Sequence, residues 1–267
     1  MAERRTASET AVWRRLALPT VLALIGLAIL LRLGFWQVDR LAWKEALIRQ
    51  VEQNMTLAPV PAPGPSGWDS AQDPASDYQR VTVSGRFLPG EAYYYNALTK
   101  PKGRFGGPGY FVHAPFQTLD GWIVMVNRGF VPDMYLDPQR RPESAPPAGD
   151  VTLTGLLRLG EEPNLTTPVP DPQKRIWFAR DPRAMAAVLG QSGEIAPFVI
   201  DADAEATPVS GLPQAGETVV RFKNDHLGYA LTWFGLAATL AGVYLAYAWS
   251  LLRRRPPAAA PSKKPEA

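Results

Sequence analysis

The chain has 267 residues and no cysteine, which excludes disulfides, thiolate metal sites and a cysteine nucleophile. Its net charge of +3 is unevenly distributed, because residues 1–36 carry +3, residues 227–267 carry +4 and the segment between them carries −4. No basic stripe with interleaved aromatic residues occurs in that middle segment, so the sequence predicts no nucleic acid partner.

A first apolar run follows a polar, basic N-terminal tail that we assign to residues 1–15 and to the cytoplasm. Residues 16–36 are predicted to cross the membrane as a helix, with flanking arginines reaching the surface and Trp36 at the interface. A cleaved signal peptide is one alternative, but no small-residue cleavage site follows the run. A buried helix of a soluble protein is another, but it leaves the basic flank and a second apolar run unexplained.

The second apolar run, residues 227–252, contains no charged side chain. Its 26 residues extend about 39 Å as a helix, against a hydrocarbon core of ~30 Å. Three arginines follow directly, at 253–255. Each predicted span therefore has its basic flank on the side of the nearer chain terminus. The positive-inside rule therefore predicts that both termini are cytoplasmic and that residues 37–226 form an extramembrane, periplasmic domain. Residues 253–267 are predicted to be a disordered cytoplasmic tail.

Between the two runs the sequence pattern changes from helical to alternating. Residues 37–53 carry a helical stripe and are predicted to continue the first helix outward, and residues 60–76 are predicted to be a loop. A short helix is predicted at 181–189, where Asp-Pro fits an N-cap and first turn. The alternation predicts strands at 81–87, 92–96, 110–117, 122–127, 151–158, 198–200 and 218–222.

These elements together define the expected fold class. Six or seven strands separated by predicted turns, with few helices, favour a small antiparallel sheet or barrel. We therefore predict an α+β membrane protein, in which two transmembrane helices flank one mainly antiparallel β extramembrane domain.

A search for catalytic motifs finds no recognisable active site. The chain lacks a Gly-x-Ser-x-Gly elbow, a His-Glu-x-x-His motif and a phosphate loop, and its glycine-rich segment 103–109 lacks the Lys-Ser/Thr ending. Two histidines without cysteine make a conventional zinc site improbable, and His113 on a predicted strand is interpreted as structural. A carboxylate pair for acid–base chemistry stays open, but spacing selects none. We therefore predict no enzymatic activity.

His226 differs because it stands at the outer mouth of the second apolar run. A neutral imidazole there could be an axial haem ligand. Tyr229, Ala230 and Trp233 follow at helical spacing, and flat or small side chains could line a porphyrin. Three plainer interpretations remain open: Asp225 as an N-cap, His226 bound to interfacial water, and the two aromatic residues as membrane-interface anchors.

Four segments carry a recognisable pattern. They are LGFWQVDRLAWK at 33–44, GYFVHAPF at 109–116, VNRGFVP at 126–132 and NDHLGYALTWFG at 224–235. In this order and at these separations they resemble the surfeit locus protein 1 family, which are assembly factors for haem–copper cytochrome c oxidase. The resemblance extends over roughly residues 33–245.

The resemblance implies a membrane protein that assists maturation of oxidase subunit I and binds haem a transiently. It implies that His226 is the haem ligand; Tyr229 and Trp233 are assigned to the same site by their helical spacing alone. Arg128 is interpreted either as a partner of a haem propionate, since a guanidinium binds carboxylates bidentately, or as part of an internal ion pair. The implied partners are subunit I, a haem a synthase and the lipid bilayer.

Hypotheses from different functional classes follow. The first is an anchored assembly factor that holds haem a and presents it to the oxidase. The second is a cofactor-free scaffold that stabilises subunit I or haem synthase, with His226 in a structural role. An anchored hydrolase is a third, but it lacks a nucleophile–base pair. Because the short lead contains Glu3 and Glu9, unlike an acid-poor transit peptide, we expect the bacterial inner (cytoplasmic) membrane.

Overall fold

The computed structural model describes residues 2–218 and 224–253, with side chains from Leu16 onward. The chain divides into two compact units, a helical unit of Met1–Ala46 and Phe222–Ala267 and a sheet domain of Leu47–Arg221. Most of the strand predicted at 218–222, and the predicted disordered tail beyond residue 253, lie outside the described residues.

Within the described residues, two helices are long and apolar enough to cross a membrane. Helix α1, Ala2–Thr56, has 55 residues and runs without interruption from the predicted tail through the predicted outward extension. Helix α4, His226–Arg253, has 28 residues and begins and ends one residue outside the predicted span. The two predicted membrane helices and the continuation of the first are therefore confirmed as helices.

Helices α1 and α4 pack against each other through small side chains. Ala230 and Ala237 are buried on α4. On α1, a Cβ added to Gly34 would lie 2.6 Å from the ring of Phe234, so only glycine fits there without a shift. The hydroxyl groups of Thr20 and Tyr244 add a hydrogen bond of 2.5 Å. Small residues let helix backbones approach closely in lipid, and the sequence had left this packing of the two spans open.

In the described part of the sheet domain, eight strands form one sheet. They are β1 Val60–Pro61, β2 Arg80–Phe87, β3 Ala92–Leu98, β4 Gly107–Thr118, β5 Ile123–Pro132, β6 Val151–Leu159, β7 Ile176–Trp177 and β8 Ile195–Ala202. The order is β1-β2-β6-β8-β5-β4-β3-β7, and β2 also pairs with β4. This extra pairing closes β2, β6, β8, β5 and β4 into a barrel.

The strand pairings confirm a mainly antiparallel domain, with parallel pairs at β1–β2, β3–β7 and β5–β8. The predicted loop at 60–76 is partly wrong, because it contains β1 and a short helix α2, Trp68–Ala71. The short helix predicted at 181–189 is found as α3, Pro182–Val188. The Asp181 side chain accepts from the Ala184 amide, as an N-cap should.

The end predicted for β5 is also wrong. The sequence ended this strand at residue 127, because a glycine at position 129 is typical of a turn, whereas β5 continues to Pro132. Gly129 has a positive φ, at +128°. The reason is a close approach inside the sheet rather than a turn: Phe130 exchanges backbone hydrogen bonds of 2.8 and 2.9 Å with Gln214.

The barrel interior is apolar because alternate residues of its strands point inward. Val124 and Val126 of β5 and Phe198 and Ile200 of β8 are fully buried in this core. The opposite face of the same strands is covered by α3, whose Met185 packs against Met125 and Val199. The sheet therefore buries both faces in this region.

A row of buried polar side chains continues along this outer face. His113 of β4 is in register with Asn127 of β5, which is in register with Asp201 of β8. Asn127 donates to Asp201 at 2.9 Å, and Arg158 of β6 lies 3.4 Å from the same carboxylate. His113 Nδ1 lies 3.4 Å from the Phe111 carbonyl, and its Nε2 has no hydrogen-bond partner within the described residues.

Burial and charge set the protonation of this row. Burial lowers the pKa of His113 to about 4, against the attraction of Asp201. Burial would raise the pKa of Asp201, but Arg158, Arg180 and the Asn127 hydrogen bond outweigh it and lower that pKa. The row therefore holds a neutral imidazole beside an ionised carboxylate at neutral pH.

The backbone approach at Gly129 predicts a large loss of stability in Gly129→Ala. An added Cβ would lie 2.3 Å from the Gln214 carbonyl carbon, so we expect the free energy of unfolding to fall by at least about 3 kcal/mol. Gly121→Ala is the matched control, since Gly121 also has a positive φ but no atom within 4 Å of an added Cβ; we expect it to lose about 1 kcal/mol. Thermal unfolding in detergent measures both, and equal shifts would contradict the close-approach explanation.

The buried neutral imidazole predicts a pH-dependent stability. Its folded-state pKa of about 4 lies below the unfolded value of ~6.5. The unfolded chain therefore binds more protons in this interval, and stability should fall by a total approaching about 3 kcal/mol as pH drops from about 6.5 to 4. His113→Gln cannot titrate and should lose this component. Denaturant midpoints of both proteins at several pH values test it, and identical pH slopes would refute it.

Candidate functional site

His226 opens helix α4 at the mouth of the second span. The carbonyl of the preceding residue, Asp225, accepts from the Tyr229 amide at 3.2 Å. Asp225 therefore occupies the N-cap position that the sequence offered for it. The imidazole of His226 is partly buried and turns toward α1.

The partner of His226 on α1 is Gln37. Gln37 is buried, and its Oε1 lies 2.7 Å from Nδ1 of His226. Because an amide oxygen only accepts, Nδ1 carries the proton in this arrangement and Nε2 keeps its lone pair. A histidine that binds a metal ion commonly donates its other ring N–H to an oxygen acceptor in this way. His226 thus has the geometry of a metal ligand whose ring is oriented by Gln37.

The sequence placed Tyr229, Ala230 and Trp233 on one helix face with His226, but these three residues differ in burial. Ala230 is buried and Trp233 partly buried, whereas Tyr229 is 55% exposed. The reason is helical geometry, because a turn of 3.6 residues places i+3 and i+4 on opposite sides of residue i. Ala230 therefore turns to the partner helix, and Tyr229 flanks His226 on the exposed side.

Asn224 contributes a second polar group just before the helix. Its Oδ1 is buried and has no hydrogen-bond partner within the described residues. A buried acceptor without a donor costs about 1–3 kcal/mol. The entrance to α4 therefore presents an acceptor oxygen at Asn224 and a lone-pair nitrogen at His226.

Arg128 belongs to the sheet domain and is buried there. Its Nη2 donates to the Ser144 carbonyl at 2.7 Å, and its Nη1 lies 3.4 Å from Oε1 of Glu91. Arg141 pairs with the same carboxylate. Burial lowers the pKa of Arg128 to about 10, which Glu91 opposes. The internal ion pair that the sequence gave as one interpretation of Arg128 is therefore present.

Sequence reasoning missed the partners of these residues. Gln37 lies 189 positions from His226, and one signal was available: it is an amide one turn beyond Gly34, at the end of an apolar run. Glu91 and Arg141 carry no local signal, since each is one of many charged residues in proline-rich or strand segments.

The described residues also bear on which metal group could fit. Over residues 16–218 and 224–253, no three His, Asp or Glu side chains are grouped to hold a metal ion. A single oriented histidine instead fits an axial position on a metal whose remaining ligands come from its own cofactor, as in haem. The donor set at His226 is therefore compatible with haem iron.

Comparison with known proteins gives consistent matches over most of the chain. Residues 24–238 match the model of the SURF1 family. Surfeit locus protein 1 of Mus musculus is 34% identical over 237 residues, which cover 84% of this chain and 72% of the relative. The Homo sapiens protein of the same name is 35% identical over 218 residues, covering 77% and 69%. The SURF1-like protein of Drosophila melanogaster is 36% identical over 221 residues, covering 77% and 69%.

The matched region contains Gly34, Gln37, His226 and Phe234 of the two spans and the buried Arg128 of β5. It also contains the four segments from which the resemblance was drawn. That resemblance is confirmed, and the chain belongs to the SURF1 family.

Proposed function

We propose that this protein is a membrane-anchored assembly factor for haem–copper cytochrome c oxidase. In this proposal it holds haem a at the start of α4 and assists insertion of the haem into oxidase subunit I. Family membership and the two membrane-length helices support the assembly role. The hydrogen bond between Gln37 and His226 is the single observation that carries the haem role.

The Gln37 contact supports haem binding because it fixes both the ring and the tautomer of His226. With Nδ1 engaged at 2.7 Å, the lone pair of Nε2 is the one that would bind the haem iron. Trp233 and Tyr229 would flank the cofactor. When bound, haem would supply the iron and most of its ligands, and His226 would supply one imidazole.

A single imidazole is compatible with a carrier. The sequence contains no cysteine, so the haem cannot be attached through thioether links. Release then requires loss of one coordinate bond and of non-covalent packing. Transfer to subunit I is thereby compatible with the chemistry of the site.

A cofactor-free scaffold for subunit I or haem synthase is the second candidate. The same hydrogen bond favours it in one respect, because Gln37–His226 links α1 to α4. In that case His226 stabilises the helix pair, and the sheet domain supplies the contact surface for the partner. The two candidates differ in whether the purified protein carries haem.

We further propose that the protein lies in the bacterial inner membrane, with both termini in the cytoplasm and the sheet domain in the periplasm. The charge distribution supports this orientation, since the segments at both chain ends are net positive while the segment between them is net negative.

The haem role predicts a spectral loss in His226→Ala. Protein purified from cells that make haem a should show a haem absorption spectrum, and His226→Ala should retain at least about tenfold less haem per chain. Gln37→Leu should weaken haem binding by about 10–100-fold, as expected for loss of an outer hydrogen bond to a ligand. The control is His113→Gln, which alters the chain's other histidine and should retain the wild-type spectrum at neutral pH.

Unchanged haem stoichiometry and spectrum in His226→Ala would refute the ligand assignment. A wild-type protein that is colourless but co-purifies with subunit I would instead support the scaffold. Thermal unfolding of each variant distinguishes loss of haem from loss of fold.

The orientation predicts a labelling pattern for single cysteines, which is easily read because the natural chain has none. Leu119→Cys, at a position 68% exposed in the sheet domain, should react with a membrane-impermeant maleimide added to cells with a permeabilised outer membrane. Ser262→Cys, in the C-terminal segment, should react only after the inner membrane is opened. The reverse pattern would refute the proposed orientation.

A further inference from the structure

Two buried arginines of the sheet domain share a single carboxylate. Arg128 is 6% and Arg141 5% exposed, and both contact Glu91, the residue before β3. Tyr93 also donates to Glu91 at 3.1 Å. Burial raises the pKa of Tyr93 to about 12, with Glu91 adding to the effect, so the phenol is neutral. The group therefore carries one net positive charge.

Arg158, another buried arginine of this domain, has a different charge balance. Arg158 pairs with two carboxylates, Asp77 at 3.0 Å and Asp201 at 3.4 Å. Burial would lower the pKa of Arg158, but these two carboxylates outweigh it and raise that pKa. Arg128 shares one distant carboxylate with a second cation, and its pKa falls. Arg128 and Arg141 together have one more positive charge than Glu91 neutralises. Because an unpaired buried charge is costly, a bound anion would stabilise this group.

Hydrogen bonding leads to the same conclusion. Two guanidinium groups carry ten N–H donors. Within the described residues, the hydrogen bonds of Arg128 to Glu91 and Ser144, and of Arg141 to Tyr135, Glu91 and Ser144, use six of them. Four donors thus remain for solvent or a ligand.

These residues line a cavity, which we call the paired-arginine cavity. Its volume is about 340 Å³, within the range of about 300–1,000 Å³ that is usual for small-molecule sites. Its polar lining includes Arg128, Arg141 and Glu91. Most of the remaining lining is apolar and rigid, and includes Leu88, Pro89, Ala114, Pro138, Pro142 and Pro146.

The rim of the cavity includes a strained residue. Arg175 lines it with a φ of +59°, and its carbonyl accepts from the Tyr93 amide at 2.8 Å. Positive φ is costly for a residue with a long side chain, and such strain is concentrated at binding sites. The Arg175 side chain is exposed, so its own charge is solvated and does not alter the buried balance.

We propose that the paired-arginine cavity binds a small molecule with an apolar body and one carboxylate group. The carboxylate supplies the missing anion and accepts from the free guanidinium N–H groups, and the proline-rich wall takes the apolar body. A monoanion matches the single excess charge. The site extends the carboxylate contact that the sequence suggested for Arg128 to a general class of ligand, and it does not rest on the proposed haem role of His226.

The test uses the full-length, haem-free protein in phosphatidylcholine nanodiscs, titrated with cyclohexanecarboxylate and followed by ligand-observed NMR. The matched probe is cyclohexanecarboxamide, which has nearly the same shape but no charge. We expect saturable binding of the carboxylate, with the carboxamide at least about tenfold weaker, or about 1.4 kcal/mol. Inorganic phosphate, which has no apolar body, should also bind more weakly than the carboxylate.

Variants locate the site. Arg128→Gln should weaken carboxylate binding at least tenfold, whereas Arg140→Gln, a change of an exposed arginine beside Arg141, should leave it unchanged. His226→Ala should bind as wild type does, so this test and the haem test fail independently. The comparison of carboxylate with carboxamide needs no variant, so it decides the question even if Arg128→Gln does not fold.

Three results would overturn the proposal. They are no saturable carboxylate binding up to ~10 mM, where even a millimolar site would be filled, equal binding of carboxamide and carboxylate, and equal weakening by Arg128→Gln and Arg140→Gln. Tighter binding of phosphate than of the carboxylate would also refute the ligand class.

Discussion

The cost of removing charged and polar groups from water is the constraint that shapes both units of this protein. In the sheet domain, Arg158 is buried at 7% exposure and holds its place because Asp77 and Asp201 neutralise it. Asp201 in turn keeps its charge because Asn127 and Thr218 also donate to it. Loss of any one partner leaves a buried charge or polar group unpaired, so the group helps to specify the register of β5, β6 and β8.

The helical unit meets the same constraint with neutral groups. A buried amide at Gln37 would cost free energy if it were unpaired, and the first residue of α4 supplies a donor 2.7 Å away. Because Gly34 and Ala230 keep the two helices close at this end, the histidine can reach across. The hydrogen bond that satisfies Gln37 also determines which imidazole nitrogen keeps its lone pair. Helix packing and ligand geometry are therefore set by one contact.

Much of the architecture could be predicted because its causes are local. Absence of charge over 227–252 was sufficient for α4, and alternation was sufficient for β2, β4 and β6. The end of β5 could not be predicted, because Gly129 adopts its positive φ to admit the backbone of Gln214. The sequence does not distinguish a glycine in a turn from a glycine that packs against another backbone segment.

The candidate site was predictable in part, for the same reason. His226 could be identified from its place at the mouth of an apolar run, whereas Gln37 became relevant only through packing of two helices separated by most of the chain. Arg128 was visible as an arginine after a strand. Its deficit of negative charge depends on Arg141 meeting Glu91 across a fold that brings positions 50 residues apart together, which no local pattern encodes.

The four segments that carry the family resemblance are two pairs of physical contacts. Segments 109–116 and 126–132 lie on β4 and β5, which pair antiparallel and share the His113–Asn127 register. Segments 33–44 and 224–235 meet through Gly34 with Phe234 and through Gln37 with His226. Each segment is therefore constrained by the shape and polarity of its partner, and a change in one alone leaves a clash or an unpaired polar group in the other. The pattern recognised in the sequence thus corresponds to segments that contact each other in the fold.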